Sequence, residues 1–144
     1  MGMSSQYFLV NQYVQLFVNR ANFNRSYPMC SRAHAPQALD RFFHEVGLPS
    51  EILTDNAPEF VEGEWRALCL KYYVKQRFTE PYTPWQNPAE LEGGIVKRKL
   101  RTLMKLTNTP IRLWDYAWQY VSEIRSLTAM KHMYLEGSTP LEKV

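Results

Sequence analysis

Four residues, Ile52-Leu53-Thr54-Asp55, constrain the fold of this chain more than any other stretch. They are too short and too apolar for anything but a buried strand. Upstream, Leu39, Phe42, Phe43 and Val46 recur at helical spacing; downstream, Trp65, Leu68, Cys69 and Tyr72 do the same. Pro36 fits only the first turn of the upstream helix, and Gly47 with Pro49 ends it. A strand flanked in sequence by two amphipathic helices belongs to an α/β layer arrangement.

The remaining segments extend that frame. Tyr7–Val10 and Tyr13–Val18, split by Asn11-Gln12, read as a β-hairpin, and Arg25–Met29 as a third strand stopped at Pro28. Val74–Thr79 alternates as a fifth strand with one polar face. The loop from Glu80 to Pro88 carries three prolines. A helix over about Ala89 to Leu106 follows, and a last one from Leu113 to about His132, entered through Thr109-Pro110. The order β-β-β-α-β-α-β-α-α predicts a mixed sheet with helices on both sides, and 144 residues with 45% hydrophobic content fit one domain over the whole chain, 1–144.

Composition excludes several classes. No segment has the apolar length of a membrane span, and the first ten residues lack a basic signal region. Two cysteines, Cys30 and Cys69, and three scattered histidines form neither a disulfide framework nor a zinc pattern. Both cysteines read as reduced core residues in an intracellular protein. Asn24-Arg25-Ser26 has the form of a glycosylation sequon, but nothing here looks secreted. The net charge is only +3, yet it is unevenly spread. No Asp or Glu occurs before Asp40, whereas Lys97, Arg98, Lys99, Arg101 and Lys105 crowd one segment.

The chemistry concentrates at two acids. Asp55 ends a buried strand, where open α/β sheets place their sites. Glu90, thirty-four intervening residues later, starts the basic helix. At about 100° per residue, Lys97 and Arg101 fall within roughly 20° of Glu90, and Lys105 at roughly 60°. Leu91, Ile95, Val96, Leu103 and Leu106 form the expected core face, with Glu92 in its middle and Lys99 as its expected partner or its route to solvent. Carboxylates that hold a divalent metal, flanked by cations, suit a phosphodiester: the metal and the cations neutralise neighbouring phosphates. Trp65, Trp114 and Trp118 read as core; Trp85 could stack on a base or pack under its loop. His34 and His44 read as helix-surface residues.

Pro28-Met29, Glu45-Val46-Gly47-Leu48-Pro49, Thr54-Asp55-Asn56-Ala57 and Pro81-Tyr82-Thr83-Pro84-Trp85-Gln86-Asn87, with Ala89-Glu90, resemble the integrase core of LTR retrotransposon polyproteins, most like a copia-type lineage. Leu113-Trp114-Asp115-Tyr116 and Gly137-Ser138-Thr139-Pro140-Leu141-Glu142 extend the match over nearly the whole chain. The resemblance implies a ribonuclease-H-like, five-stranded mixed sheet and a D,D,E triad binding two Mg²⁺ or Mn²⁺ ions. It also implies 3′-end processing and strand transfer on DNA, a homo-oligomer, no small-molecule substrate, and work in the nucleus. By position Asp55 is the second acid and Glu90 the third, both metal ligands, with Lys97, Arg98, Arg101, Lys105, Asn87 and Gln86 toward nucleic acid. The first acid has no counterpart: Asp40 lies inside a helix, and Asn11 and Asn19 are neutral. The first strand is therefore expected to be incomplete, with Tyr7–Val10 its remnant, and the isolated chain inactive. Gly93-Gly94 replaces a charged DNA contact of the family at about 1 kcal/mol of helix propensity each.

Overall fold

The structure, a computed structural model of the chain, describes residues 11–83, 87–128 and 138–143. Strands β1 (Tyr13–Val18) and β2 (Asn24–Met29) pair antiparallel, Tyr13 opposite Met29 and Val18 opposite Asn24. Asn19 closes their turn: its Oδ1 accepts from the N–H groups of Ala21 at 2.8 Å and Phe23 at 3.0 Å. Asn22 takes the left-handed conformation at φ 61, which its short polar side chain tolerates. Helix α1 (Ala35–Glu45) starts on Pro36 and stops before Gly47, whose φ of 124 is open to glycine and hostile to other residues.

Strand β3 (Glu51–Thr54) pairs in parallel with β4 (Lys75–Phe78), Glu51 opposite Lys75 and Thr54 opposite Phe78. A parallel pair needs a crossover, and α2 (Pro58–Val61) with α3 (Glu64–Lys71) supplies it. Among the described residues the four strands form two two-stranded sheets. Tyr7–Val10 lies outside the described residues. The last helix, expected to reach about His132, stops at Leu127, where Thr128 turns extended at φ −91 and ψ 123.

Neighbouring β-hairpin residues point to opposite faces, and each face has its own cover. On one side Phe17, Tyr27 and Met29 join Leu39 and Phe43 of α1 and Trp65 and Cys69 of α3 in the buried core. Phe17 stacks on Phe42 at 4.4 Å between centroids, and Phe60 meets Trp65 edge-on at 4.6 Å. On the other side α4 (Pro88–Thr107) lies over β1 and α5 (Trp114–Leu127) over β2, the two helices packing on each other. Asn24 is buried there, so the apparent sequon serves packing.

Three expectations change in detail. Cys69 is buried, and burial pushes its thiol up, but Cys30 is only half-buried, its Sγ 3.4 Å from Asn11 Oδ1. Trp65 is core, whereas Trp114 and Trp118 are half-buried beside a cavity. Strand limits move by a residue or two; β3 ends at Thr54, leaving Asp55 just beyond it. Trp65 is among the largest fully buried side chains and touches both α2 and β1 aromatics. Trp65→Ala is expected to cost about 3–5 kcal/mol through lost burial and a residual cavity, read from urea denaturation midpoints at unchanged slope.

Candidate active site

Parallel pairing brings the ends of β3 and β4 out at the same place. The N–H of Thr79 donates to the carbonyl of Thr54 at 2.9 Å, carrying the ladder one step past β4. Asn56 Nδ2 donates to the carbonyl of Thr79 at 3.0 Å and pins the loop that holds Asp55. Asp55 Oδ1 accepts from the N–H of Ala57 at 3.0 Å, an Asx turn that fixes the carboxylate's direction.

The chain returns to this point through Asn87, the N-cap of α4. Its side-chain oxygen accepts from the N–H of Ala89 at 3.1 Å, and Pro88 opens the helix. Glu90 therefore stands in the first turn, where the helix dipole favours an anion. Asp55, Asn56, Thr79, Glu80, Asn87 and Glu90 line one cavity of about 370 Å³, walled on its outer side by Pro81-Tyr82-Thr83.

Both acids are exposed. Beyond the Ala57 bond, no protein group engages Asp55 or the Glu90 carboxylate among the described residues, so three carboxylate oxygens remain available. Free carboxylate oxygens are the donor type that Mg²⁺ and Mn²⁺ take, so the residues fit such an ion. Among the described residues no three His, Cys, Asp or Glu side chains converge as a metal site. Asp40 is remote from this cavity: it pairs with His44 at 3.7 Å and lines a separate pocket with Glu64 and Lys71. Glu80 was not anticipated. It sits in an aperiodic loop, and its one local signal was an acid directly after the fifth predicted strand.

The basic cluster divides. Lys97, Arg98, Arg101 and Lys105 are all exposed. Lys97 and Arg101 join Glu90 along a second cavity of about 530 Å³, closed by β1 and by Trp114 and Trp118 of α5. Arg98 and Lys105 are not among that cavity's lining residues. Asn87 reaches the Asp55 cavity, with its side-chain oxygen committed to the cap. Gln86 and Trp85 lie outside the described residues.

The expected core face of α4 is corrected. Its buried residues are Glu92, Val96 and Leu100, while Leu91 is 72% and Leu106 81% exposed. The buried arc thus runs over roughly 200° to 280° from Glu90, keeping Val96 of the expected face and leaving Leu91 and Leu106 outside it. The physical reason is Glu92, which pairs with Arg125 of α5 and not with Lys99. Arg125 Nε donates to Glu92 Oε1 and Nη2 to Oε2, the latter at 2.9 Å. That partner lies thirty-three positions away, beyond any local signal. The glycines that follow are not demanded by space. A Cβ at Gly93 would meet Leu16 at 3.5 Å, an ordinary contact, and one at Gly94 would meet open space.

No protein-family profile matches the chain. Among curated proteins, the Gag-Pro-Pol polyprotein of Simian retrovirus SRV-2 is 32% identical over 85 residues, 59% of this chain and 4% of that polyprotein. The Gag-Pro-Pol polyprotein of Human T-cell leukemia virus 2 is 32% identical over 68 residues, 46% of this chain and 5% of its own length. The chain thus spans only about a twentieth of these relatives. Among solved structures, the simian T-cell lymphotropic virus intasome bound to PP2A regulatory subunit B56 gamma matches at TM-score 0.76 and 21% identity, over 90% of this chain and 46% of that one. The dimeric HTLV-2 integrase catalytic core with magnesium matches at TM-score 0.69 and 20% identity, over 90% of this chain and 80% of that one. The chain has the fold of a retroviral integrase catalytic core, the ribonuclease-H-like α/β fold. These relatives are retroviral; a copia-type lineage rests on the sequence motifs alone.

Asn87 supplies the only side-chain bond to the first turn of α4 among the described residues. Asn87→Ala is expected to lower stability by about 1 kcal/mol, read by thermal unfolding followed by circular dichroism.

Proposed function

We propose that this chain is the catalytic core of an integrase acting on DNA, with Asp55 and Glu90 as ligands for Mg²⁺ or Mn²⁺. The observation that carries the reading is the single cavity at the β3–β4 strand ends that both acids line. Lys97 and Arg101, beside Glu90, take neighbouring phosphates, while Arg98 and Lys105 extend the contact along α4. Asn87 lines the same cavity, and Gln86, outside the described residues, is read from the sequence alone as a further nucleic-acid contact. A bound ion would neutralise a phosphate oxygen and lower the pKa of an attacking water or 3′-hydroxyl. The HTLV-2 core that shares the fold is a magnesium complex and occurs in dimeric and trimeric forms, which supports a divalent cofactor and a homo-oligomer here.

The further details belong to the same proposal. One domain spans residues 1–144, the element is an LTR retrotransposon of copia type, and integration takes place in the nucleus. Tyr7–Val10, outside the described residues, is read from the sequence as the remnant of the first strand of a five-stranded sheet. Two acids leave a two-metal site short of its bridging ligand, so the chain alone binds DNA and the ion without turnover. A non-catalytic retroelement remnant, or a domesticated DNA-binding or protein-interaction module, is the second reading, favoured by the same shortage.

Mn²⁺ titration is expected to show binding that Asp55→Asn and Glu90→Gln each weaken at least tenfold, followed by calorimetry. On a short duplex the chain is expected to give no Mn²⁺-dependent nicking. Nicking that Asp55→Asn abolishes would overturn the inactivity and retain the integrase reading. DNA affinity is expected to fall steeply with salt, and Lys97→Ala or Arg101→Ala to reduce the slope of log K against log salt by about 1 each, measured by fluorescence anisotropy.

A further inference from the structure

Glu90 lies on a stretch of α4 held at its start by the Asn87 cap and farther along by one buried side chain. From Pro88 to Ile95 Glu92 is the only buried side chain, 3% exposed, while Leu91 faces solvent and Gly93-Gly94 bring no side chains. Those two glycines also weaken the helix where its rotation matters most. Glu92 is held from two other elements. Arg125 of α5 grips both of its oxygens, and Asn24 of β2 donates Nδ2 to Oε1 at 3.3 Å. Asn24 is itself fixed: its Oδ1 accepts from Ser122 Oγ, and its N–H and carbonyl both engage Ser126 Oγ at 3.0 Å. Asn24, Ser122 and Ser126 are all buried, so the clamp joins β2, α4 and α5 away from water.

We infer that Glu92 and Arg125 are positioning residues: their buried pair sets the rotation of the first turns of α4 and thereby aims Glu90 at the cavity it shares with Asp55. Glu92 lies roughly 200° around the helix from Glu90, so a clamp on the one presents the other outward. The inference rests on the reading of Glu90 as a site acid. Neither Glu92 nor Arg125 lines the Asp55 cavity, which separates positioning from ligation.

A purely structural role predicts that restoring the packing restores everything. Buried ion pairs can often be replaced by apolar residues without loss of stability. The test is Glu92→Met with Arg125→Met, read by thermal unfolding and by dipolar broadening between nitroxides at Asp55→Cys and Glu90→Cys, in a background of Cys30→Ser and Cys69→Ala. The expected result is a midpoint within a few degrees of the parent and loss of the short-distance component in at least half of the molecules. An unchanged distance distribution would overturn the inference. Should the double variant fail to fold, Glu92→Asp keeps the charge on a shorter arm. A shifted mean separation is then expected, and an unchanged one sinks the idea. The separation is measured without metal, so an absence of Mn²⁺ binding by the parent would count against the active-site reading alone.

Discussion

Parallel pairing of β3 with β4 is the constraint on which the rest of this structure depends. Antiparallel neighbours can be joined by two residues, but a parallel neighbour requires the chain to travel back along the sheet. Here α2 and α3 make that return, and burying their apolar faces brings Trp65 and Cys69 against α1 and the β1–β2 hairpin. Parallel strands also end on the same side. Asp55 leaves β3 beside the exit of β4, and the next segment must begin there before it can form α4. The proximity of Asp55 to Glu90 follows from strand direction, without any attraction between two like charges.

On the opposite face the hairpin is covered by a different kind of contact. The α1–α3 side is aromatic and aliphatic, with stacked rings from three elements. The α4–α5 side is held at its centre by a charged pair, an amide and two hydroxyls. Apolar packing fixes its partners through many weak contacts without direction. A forked guanidinium on a carboxylate has one good geometry. The side of the molecule that carries the basic residues is thus the more narrowly defined of the two.

Much of this was legible in the sequence. The stripes Leu39–Val46 and Trp65–Tyr72, and the strand Ile52–Asp55 between them, are local patterns, and they became α1, α3 and β3 within a residue or two. The placement of Asp55 at a strand end and of Glu90 at a helix start was legible for the same reason, since both are local features. The rotation of α4 was not. A helical wheel counts apolar residues, and it placed Leu91 and Leu106 inward because nothing within α4 announces that Glu92 has a partner on α5. Glu80 was missed in turn because a proline-rich loop has no period from which a direction can be read.

The charged clamp has a consequence for how this sequence can drift. Removing one member of a buried pair strands the other, at about 3–5 kcal/mol, a large part of the roughly 5–15 kcal/mol that holds a domain together. Glu92 and Arg125 can therefore change only together, whereas Asp55 and Glu90 are exposed and carry little of the packing. Substitution at either exposed acid therefore leaves the scaffold standing, and the clamp persists for as long as the fold is used. The two pairs thus answer to different constraints, one set by exposure to solvent and the other by burial.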